Sequence, residues 1–371
     1  MGTSTSSIGN IYVELAKQSF IVGENIQGKV HVSIQNDMPP GFLDFQFSGK
    51  ERLLWAEEGL SQASLSYTTN KKRSICKVRY ELFTWDKVLE CGDYTIPFTF
   101  NVPDSIPGSF FFEADTTKFV IYYSICVKLV SDQYKLRSKN KVIIFAKKLN
   151  IERNVVVEKD VGFSGCFCKK KGFVKLKSVM SQDTYRPTEV LECSLDIDNS
   201  KGKTSIKKII SSILYVIRIN IPGHAGIYHQ ECIYEQEQSV NVGPGGLIAG
   251  PYAAKIQIDI SKIKQYLLRI NSLDTEITQS SYFLDLKLVS EGLFTCGGES
   301  PRISMLIYLY PDGDVPIKAI EPPKNWKPKV LSPIKIDYSS CFEVPSKLDQ
   351  ETEQLNITTQ QNDLAVKSID H

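Results

Sequence analysis

Period-two alternation of apolar and polar residues constrains this chain more than any other feature. Val30-His31-Val32-Ser33-Ile34, Leu43-Asp44-Phe45-Gln46-Phe47 and Ile96-Pro97-Phe98-Thr99-Phe100-Asn101-Val102 each send alternate side chains to one apolar face. The pattern returns at Leu191-Glu192-Cys193-Ser194-Leu195-Asp196-Ile197, Ile256-Gln257-Ile258-Asp259-Ile260 and Tyr282-Phe283-Leu284-Asp285-Leu286-Lys287-Leu288. Successive side chains of a strand point to opposite faces, so these segments are half-buried strands that need a second layer to cover them. Helical spacing is confined to residues 261–270, where Ile263, Leu267 and Ile270 recur. Many short strands broken by Gly, Pro and Asn predict an all-β chain of antiparallel sandwiches.

The alternation is also duplicated. Phe20-x-Val22-Gly23-Glu24-x-Ile26-x-Gly28-x-Val30-x-Val32 aligns with Tyr185-x-Pro187-Thr188-Glu189-x-Leu191-x-Cys193-x-Leu195-x-Ile197 at a constant offset of 165 residues, as from Glu24 to Glu189. Lys128-Leu129-Val130-Ser131-Asp132 likewise matches Lys287-Leu288-Val289-Ser290-Glu291, at nearly the same distance along each half. Two matches of this kind predict two copies of one sandwich, at 8–154 and 165–312, joined around 150–165. Past Asp312 the alternation stops. Pro311, Pro316, Pro322, Pro323, Pro328 and Pro333 lack the donor that a central strand needs, so 313–371 reads as a basic, proline-containing linker followed by an acidic tail expected to be disordered.

Composition narrows the functional classes. The 371 residues carry 44 Lys+Arg against 42 Asp+Glu, a net charge of +2, far from the clustered excess by which a protein neutralises a nucleic-acid backbone. No apolar run reaches the ~18 residues of a spanning helix, and no signal peptide opens the chain, which places it in the cytoplasm. The 9 cysteines are odd in number and scattered, favouring reduced thiols. There is no Gly-x-Ser-x-Gly elbow and no His-Glu-x-x-His. The loop Asn241-Val242-Gly243-Pro244-Gly245-Gly246 lacks the Lys-Ser/Thr of a phosphate loop and reads as a turn. No enzyme is expected, and no cofactor.

Several segments resemble the arrestin superfamily, its α-arrestin (arrestin-domain-containing) branch above all. They are Phe20-Ile21-Val22-Gly23-Glu24, the block from Gly92-Asp93-Tyr94-Thr95-Ile96-Pro97-Phe98-Thr99-Phe100 through Pro107-Gly108-Ser109-Phe110, Ile121-Tyr122-Tyr123-Ser124-Ile125, and Cys166-Phe167-Cys168-Lys169-Lys170-Lys171-Gly172. The resemblance implies two tandem arrestin-like, immunoglobulin-like sandwiches. It also implies a cytosolic adaptor that binds cytoplasmic tails of membrane proteins and trafficking machinery, in endocytosis, sorting or signal down-regulation, peripherally at the plasma membrane or endosomes. The alternative is a structural subunit of a retromer-like coat or sorting complex. Thr188 departs from the family, which has Gly there, and 262–271 replaces its Pro-Pro strand. Pro322-Pro323-Lys324-Asn325 has Asn where a Pro-Pro-x-Tyr ligase motif needs Tyr.

Candidate sites are few. Met1-Gly2-Thr3-Ser4-Thr5-Ser6 fits the N-myristoylation pattern at Gly2, and a single acyl chain needs a second signal for stable anchoring. Lys71-Lys72-Arg73, placed in an insertion before a strand, and Lys169-Lys170-Lys171, placed in a loop, offer point charges for phosphoinositide headgroups, an anionic membrane surface or phosphorylated tails. Cys166 and Cys168 share a face, with His224, His229 and Cys232 as further ligand types, but the spacing matches no zinc signature and the expected reading is structural thiols without metal. Cys193 falls in an alternating strand and is expected in the core.

Overall fold

The computed structural model describes residues 2–3, 8–57, 67–114, 117–147, 150–164, 170–221, 226–267, 271–290, 300–311 and 327–336. In chain order the first half contributes β1 (Gly2–Thr3), β2 (Gly9–Leu15), β3 (Ser19–Ile21), β4 (Asn25–Ile34), β5 (Gly41–Glu57), β6 (Tyr67–Trp85), β7 (Gly92–Asn101), β8 (Phe110–Ala114), β9 (Thr117–Ser131) and β10 (Lys135–Phe145). The second half contributes β11 (Arg153–Ser164), β12 (Lys170–Gln182), β13 (Thr184–Tyr185), β14 (Val190–Asp198), β15 (Ile206–Ile219), β16 (Ile227–Val242), β17 (Leu247–Ile248), β18 (Ala254–Asp259), β19 (Leu273–Asp274), β20 (Thr278–Ser290) and β21 (Arg302–Leu309). Two further short strands, β22 (Lys329–Val330) and β23 (Ile334–Ile336), follow.

These strands form four sheets, two per sandwich. In the first sandwich, a seven-stranded sheet runs β1-β10-β9-β5-β6, with β3 on β10 and β8 on β9. It faces a five-stranded sheet, β2-β4-β7, whose remaining strands β22 and β23 both pair with β7. In the second, β13-β21-β20-β15-β16 with β19 on β20 forms one sheet, and β11-β12-β14 with β17 and β18 on β14 forms the other. The duplicated pattern is visible in the pairing. β4 begins at Asn25 and β14 at Val190, and each follows a short strand laid parallel on the last strand of the opposite sheet, Phe20 against Ile144 and Tyr185 against Leu309.

The Gly-Glu signature has a local cause. Gly23 sits at φ 78°, left-handed backbone that glycine adopts without a Cβ penalty. The turn it makes lets the Glu24 amide donate to the Ile21 carbonyl (3.0 Å), while the Glu24 carboxylate accepts from the Ile21 amide (2.9 Å). The second copy keeps both bonds, Glu189 amide to Arg186 carbonyl (3.0 Å) and Arg186 amide to Glu189 carboxylate (2.7 Å). It does so with Thr188 outside the left-handed region. What the turn requires is the carboxylate that satisfies the open amide; the glycine is one way of reaching it.

Alternate residues of facing strands fill the interior. Phe45 lies 5.3 Å from Phe98 and 5.5 Å from Phe100, and Phe47 lies 5.0 Å from Phe100, in tilted ring pairs that join the two sheets. Tyr123 stacks on Phe47 at 5.7 Å and donates its hydroxyl to the Pro107 carbonyl (2.6 Å). Its ring passes over Gly49, where a Cβ would fall 2.3 Å from Cε1. Cys76 and Cys193 are buried, and burial pushes their thiols up to about 12 and about 11, so both stay protonated as small core residues.

Three expectations are corrected. The segment 327–336 is not plain linker, because Lys329–Val330 and Ile334–Ile336 form edge strands. Lys71-Lys72-Arg73 lies within β6 rather than in a loop ahead of a strand. The helical segment opens as a 3-10 turn (Ile260–Ile263) rather than as α-helix, and continues as α1 (Lys264–Leu267), with 268–270 outside the described residues.

Phe47→Ala removes a fully buried ring from between the sheets. It should destabilise the chain by about 3–5 kcal/mol in denaturant unfolding. A loss under about 1 kcal/mol would contradict this packing.

Candidate functional site

Two places in the fold combine distant parts of the chain: the outer edge of β7, and the contact between the sandwiches. At the first, β22 and β23 run parallel to β7, pairing Lys329 with Tyr94, Val330 with Thr95, and Ile334 to Ile336 with Phe98 to Phe100. The Leu331 amide donates to the Thr95 carbonyl (2.9 Å). Between the short strands Pro333, which has no donor, falls where none is needed, on the last strand of the sheet. Leu331 helps line a small apolar cavity with Phe83, Trp85, Leu89 and Tyr94, and Ile336 is buried. The edge of β7 therefore holds an extended segment from more than 200 residues away by main-chain bonding plus apolar side chains at spaced positions.

Beneath this strand the outer face of the sheet is polar and closed. His31 is buried, with its Nε2 2.7 Å from a Glu14 carboxylate oxygen and its Nδ1 2.9 Å from the Thr95 hydroxyl, and it stacks on Tyr12 at 4.5 Å. Burial lowers the imidazole from its ordinary range, against the opposing pull of Glu14. In the neutral ring Nε2–H donates to Glu14 and Nδ1 accepts from Thr95. The trio orients His31 between β2, β4 and β7 and leaves it 3% exposed.

The sandwiches meet at a second polar cluster. Glu51 on β5 is 1% exposed, accepts from the Thr275 hydroxyl (3.1 Å) and lies 4.0 Å from the Arg73 guanidinium. Arg73 in turn holds Glu276 at 2.7 Å. Asn271, also buried, donates to the Ser109 carbonyl (3.0 Å), and the rings of Phe112 and His229 meet at 5.5 Å. Burial raises the Glu51 carboxyl above the ordinary carboxylate range, opposed by Thr275 and Arg73.

The residues singled out in the sequence are scattered rather than convergent. Arg73 is committed to the two carboxylates. Lys71 and Lys72 alternate across β6, opposite Leu53 and Arg52, and Lys72 is exposed. Gly2 pairs with Lys139 in β1. Lys170 and Lys171 open β12, Lys170 opposite Ser164. Lys169, Cys166, Cys168, His224 and Pro322 to Asn325 lie outside the described residues. Among the described residues no three His, Cys, Asp or Glu side chains form a group that could hold a metal, and no helix is long and apolar enough to cross a membrane. The β7 edge and the Glu51 cluster escaped sequence reading. Tail pairing involves only five residues, and a lone Glu in an alternating strand carries no pairing signal.

Residues 9–152 match the family model of the arrestin (or S-antigen) N-terminal domain. Arrestin domain-containing protein 5 of Homo sapiens is 23% identical over 208 residues, 52% of this chain and 57% of that protein. Arrestin domain-containing protein A of Dictyostelium discoideum is 22% identical over 253 residues, 64% of this chain and 42% of that protein. Arrestin domain-containing protein 5 of Bos taurus is 23% identical over 223 residues, 56% and 64% respectively. The chain thus spans less than two thirds of each of these relatives.

The sign of the Glu51 shift makes a pH prediction. A carboxyl raised in the folded state contributes stability that is present below its unfolded value and lost as pH rises through the folded one. Glu51→Gln keeps the acceptor for Thr275 without the charge, so it should unfold at higher denaturant than wild type at pH 7–8 and at the same concentration near pH 4. A variant less stable than wild type at pH 7 would mean that the Arg73 attraction dominates.

Proposed function

We propose that the chain is an arrestin-domain protein of the α-arrestin type and, as such, a cytosolic adaptor. It holds extended cytoplasmic parts of membrane proteins for endocytosis, sorting or down-regulation of signalling, peripherally at the plasma membrane or endosomes. The observation that carries this reading is the pairing of 329–336 with β7. A sheet edge that accepts an extended segment within the chain has the main-chain donors and acceptors, and the apolar seats, that an extended tail from another protein needs.

The remaining parts of the reading rest on chemistry already described. Gly2 is the proposed lipidation site. Lys71, Lys72 and Lys169 to Lys171 are proposed contacts to anionic groups, with Arg73 left out because its guanidinium is engaged by Glu51 and Glu276. No catalytic role is assigned to any residue.

Occupancy of the β7 edge by the chain itself reduces the apparent affinity for anything added, in proportion to the fraction of molecules with the edge open. Ile334→Asp with Ile336→Asp places carboxylates at half-buried and buried seats and should release the segment. A labelled peptide of sequence 327–336 should then bind the variant at least about tenfold more tightly than wild type in fluorescence anisotropy. Equal or absent binding to both forms would contradict an accepting edge.

A further inference from the structure

The face of the first sandwich that carries β10 presents a row of exposed cations. On β10 the residues Lys135, Arg137, Lys139 and Lys141 alternate strictly and are all exposed, while of the residues between them Leu136 and Ser138 are buried and Asn140 is half-buried. Alternate positions in a strand stand about 7 Å apart, so four cations line a row of about 20 Å on one side of the sheet. The row continues sideways. Lys128 on β9 lies opposite Arg137, and beyond β5 the exposed Lys77 and Arg79 of β6 share the same face. Acidic residues on these rows are Asp44, which is 1% exposed and held by Arg79 at 2.9 Å, and Glu81 at the far edge. No ion pair among the described residues engages the four cations of β10, and Arg137 is steadied by a hydrogen bond to the Cys126 sulfur (3.2 Å).

We infer that this face, Lys135-x-Arg137-x-Lys139-x-Lys141 with Lys128 beside it, is a docking surface for the anionic leaflet of a lipid bilayer. Two observations favour a membrane over a single phosphate group. The side chains stand apart along one strand and none of them lines the cavity beside Leu331, whereas phosphate recognition gathers donors onto one group. And Gly2 is paired with Lys139 on the open side of β10, so an acyl chain carried there leaves the sheet beside the same row. The basic face supplies the second signal that one acyl chain needs. The inference goes beyond the adaptor reading, since it concerns lipid and requires no protein cargo.

The test uses the full chain without acylation and sedimentation with vesicles of phosphatidylcholine alone or with about 30 mol% phosphatidylserine, to match an anionic leaflet. Wild type should pellet with the anionic vesicles only, and lose binding in about 0.5 M salt. At about a factor of five per basic residue, Arg137→Glu, Lys139→Glu and Lys141→Glu together should weaken partitioning by about 100-fold or more. Lys255→Glu with Lys264→Glu, two exposed positions of the second half outside this row, should change it by less than about fivefold. These side chains are exposed, so thermal melts should match wild type, and a variant that melts early is replaced by the corresponding Gln set. Unchanged pelleting of the triple variant would overturn the inference. So would equal binding to neutral vesicles, or tight binding of a multiply phosphorylated peptide with no vesicle binding. Loss of the 327–336 peptide interaction with vesicle binding intact would count against the adaptor reading alone.

Discussion

A β-sandwich must close two kinds of surface, the apolar faces of its sheets and the unpaired main-chain groups at their edges, and in this molecule the second requirement organises the rest. The faces are closed by alternation and by rings such as Phe45, Phe47, Phe98 and Phe100 meeting between the layers. The edges are closed by borrowed strands. β3 and β13 lie parallel on the last strands of their sheets, and β22 and β23 lie parallel on β7. Unpaired edges invite pairing with whatever extended chain is at hand. In the proposed adaptor role that hazard is the means of binding.

The two copies of the sandwich differ at the β7 edge and in what each brings to the contact between them. In the first sandwich the edge of β7 takes the returning segment, whereas β18, the strand that pairs with β14 as β7 pairs with β4, has no such strand among the described residues. The contact between the sandwiches is likewise particular. Its buried carboxylate, Glu51, comes from the first copy and its partners Thr275 and Glu276 from the second, with Arg73 between the two acids. A buried charge shared in this way adds little net stability but is costly to leave unpaired, so it fixes how the copies sit together.

Much of this was legible in the sequence. The offset of 165 residues, the alternating cores and the turns at Glu24 and Glu189 all follow from local pattern, because a period of two and a reaching carboxylate are properties of neighbouring residues. Pairing between distant segments is not. Leu331, Ile334 and Ile336 are too few to show a period, and Pro328 and Pro333 mask them as linker. The distribution of charge also follows strand geometry. Lys71-Lys72-Arg73 draws the eye as a run, yet consecutive residues in a strand point to opposite faces, so the run is divided between Glu51's side and solvent. Lys135-x-Arg137-x-Lys139-x-Lys141 looks sparse in the sequence and concentrates four charges on one face.

The claim at the centre is that 329–336 occupies the β7 edge as an exchangeable strand and not as a fixed part of the core. Amide hydrogen exchange in the intact chain addresses it directly, because locally opening segments exchange independently of global unfolding. The Leu331 amide, bonded to Thr95, should exchange at least about 100-fold faster than the amides of the β4–β7 ladder and show little dependence on dilute denaturant. Equal protection of Leu331 and that ladder would contradict the account.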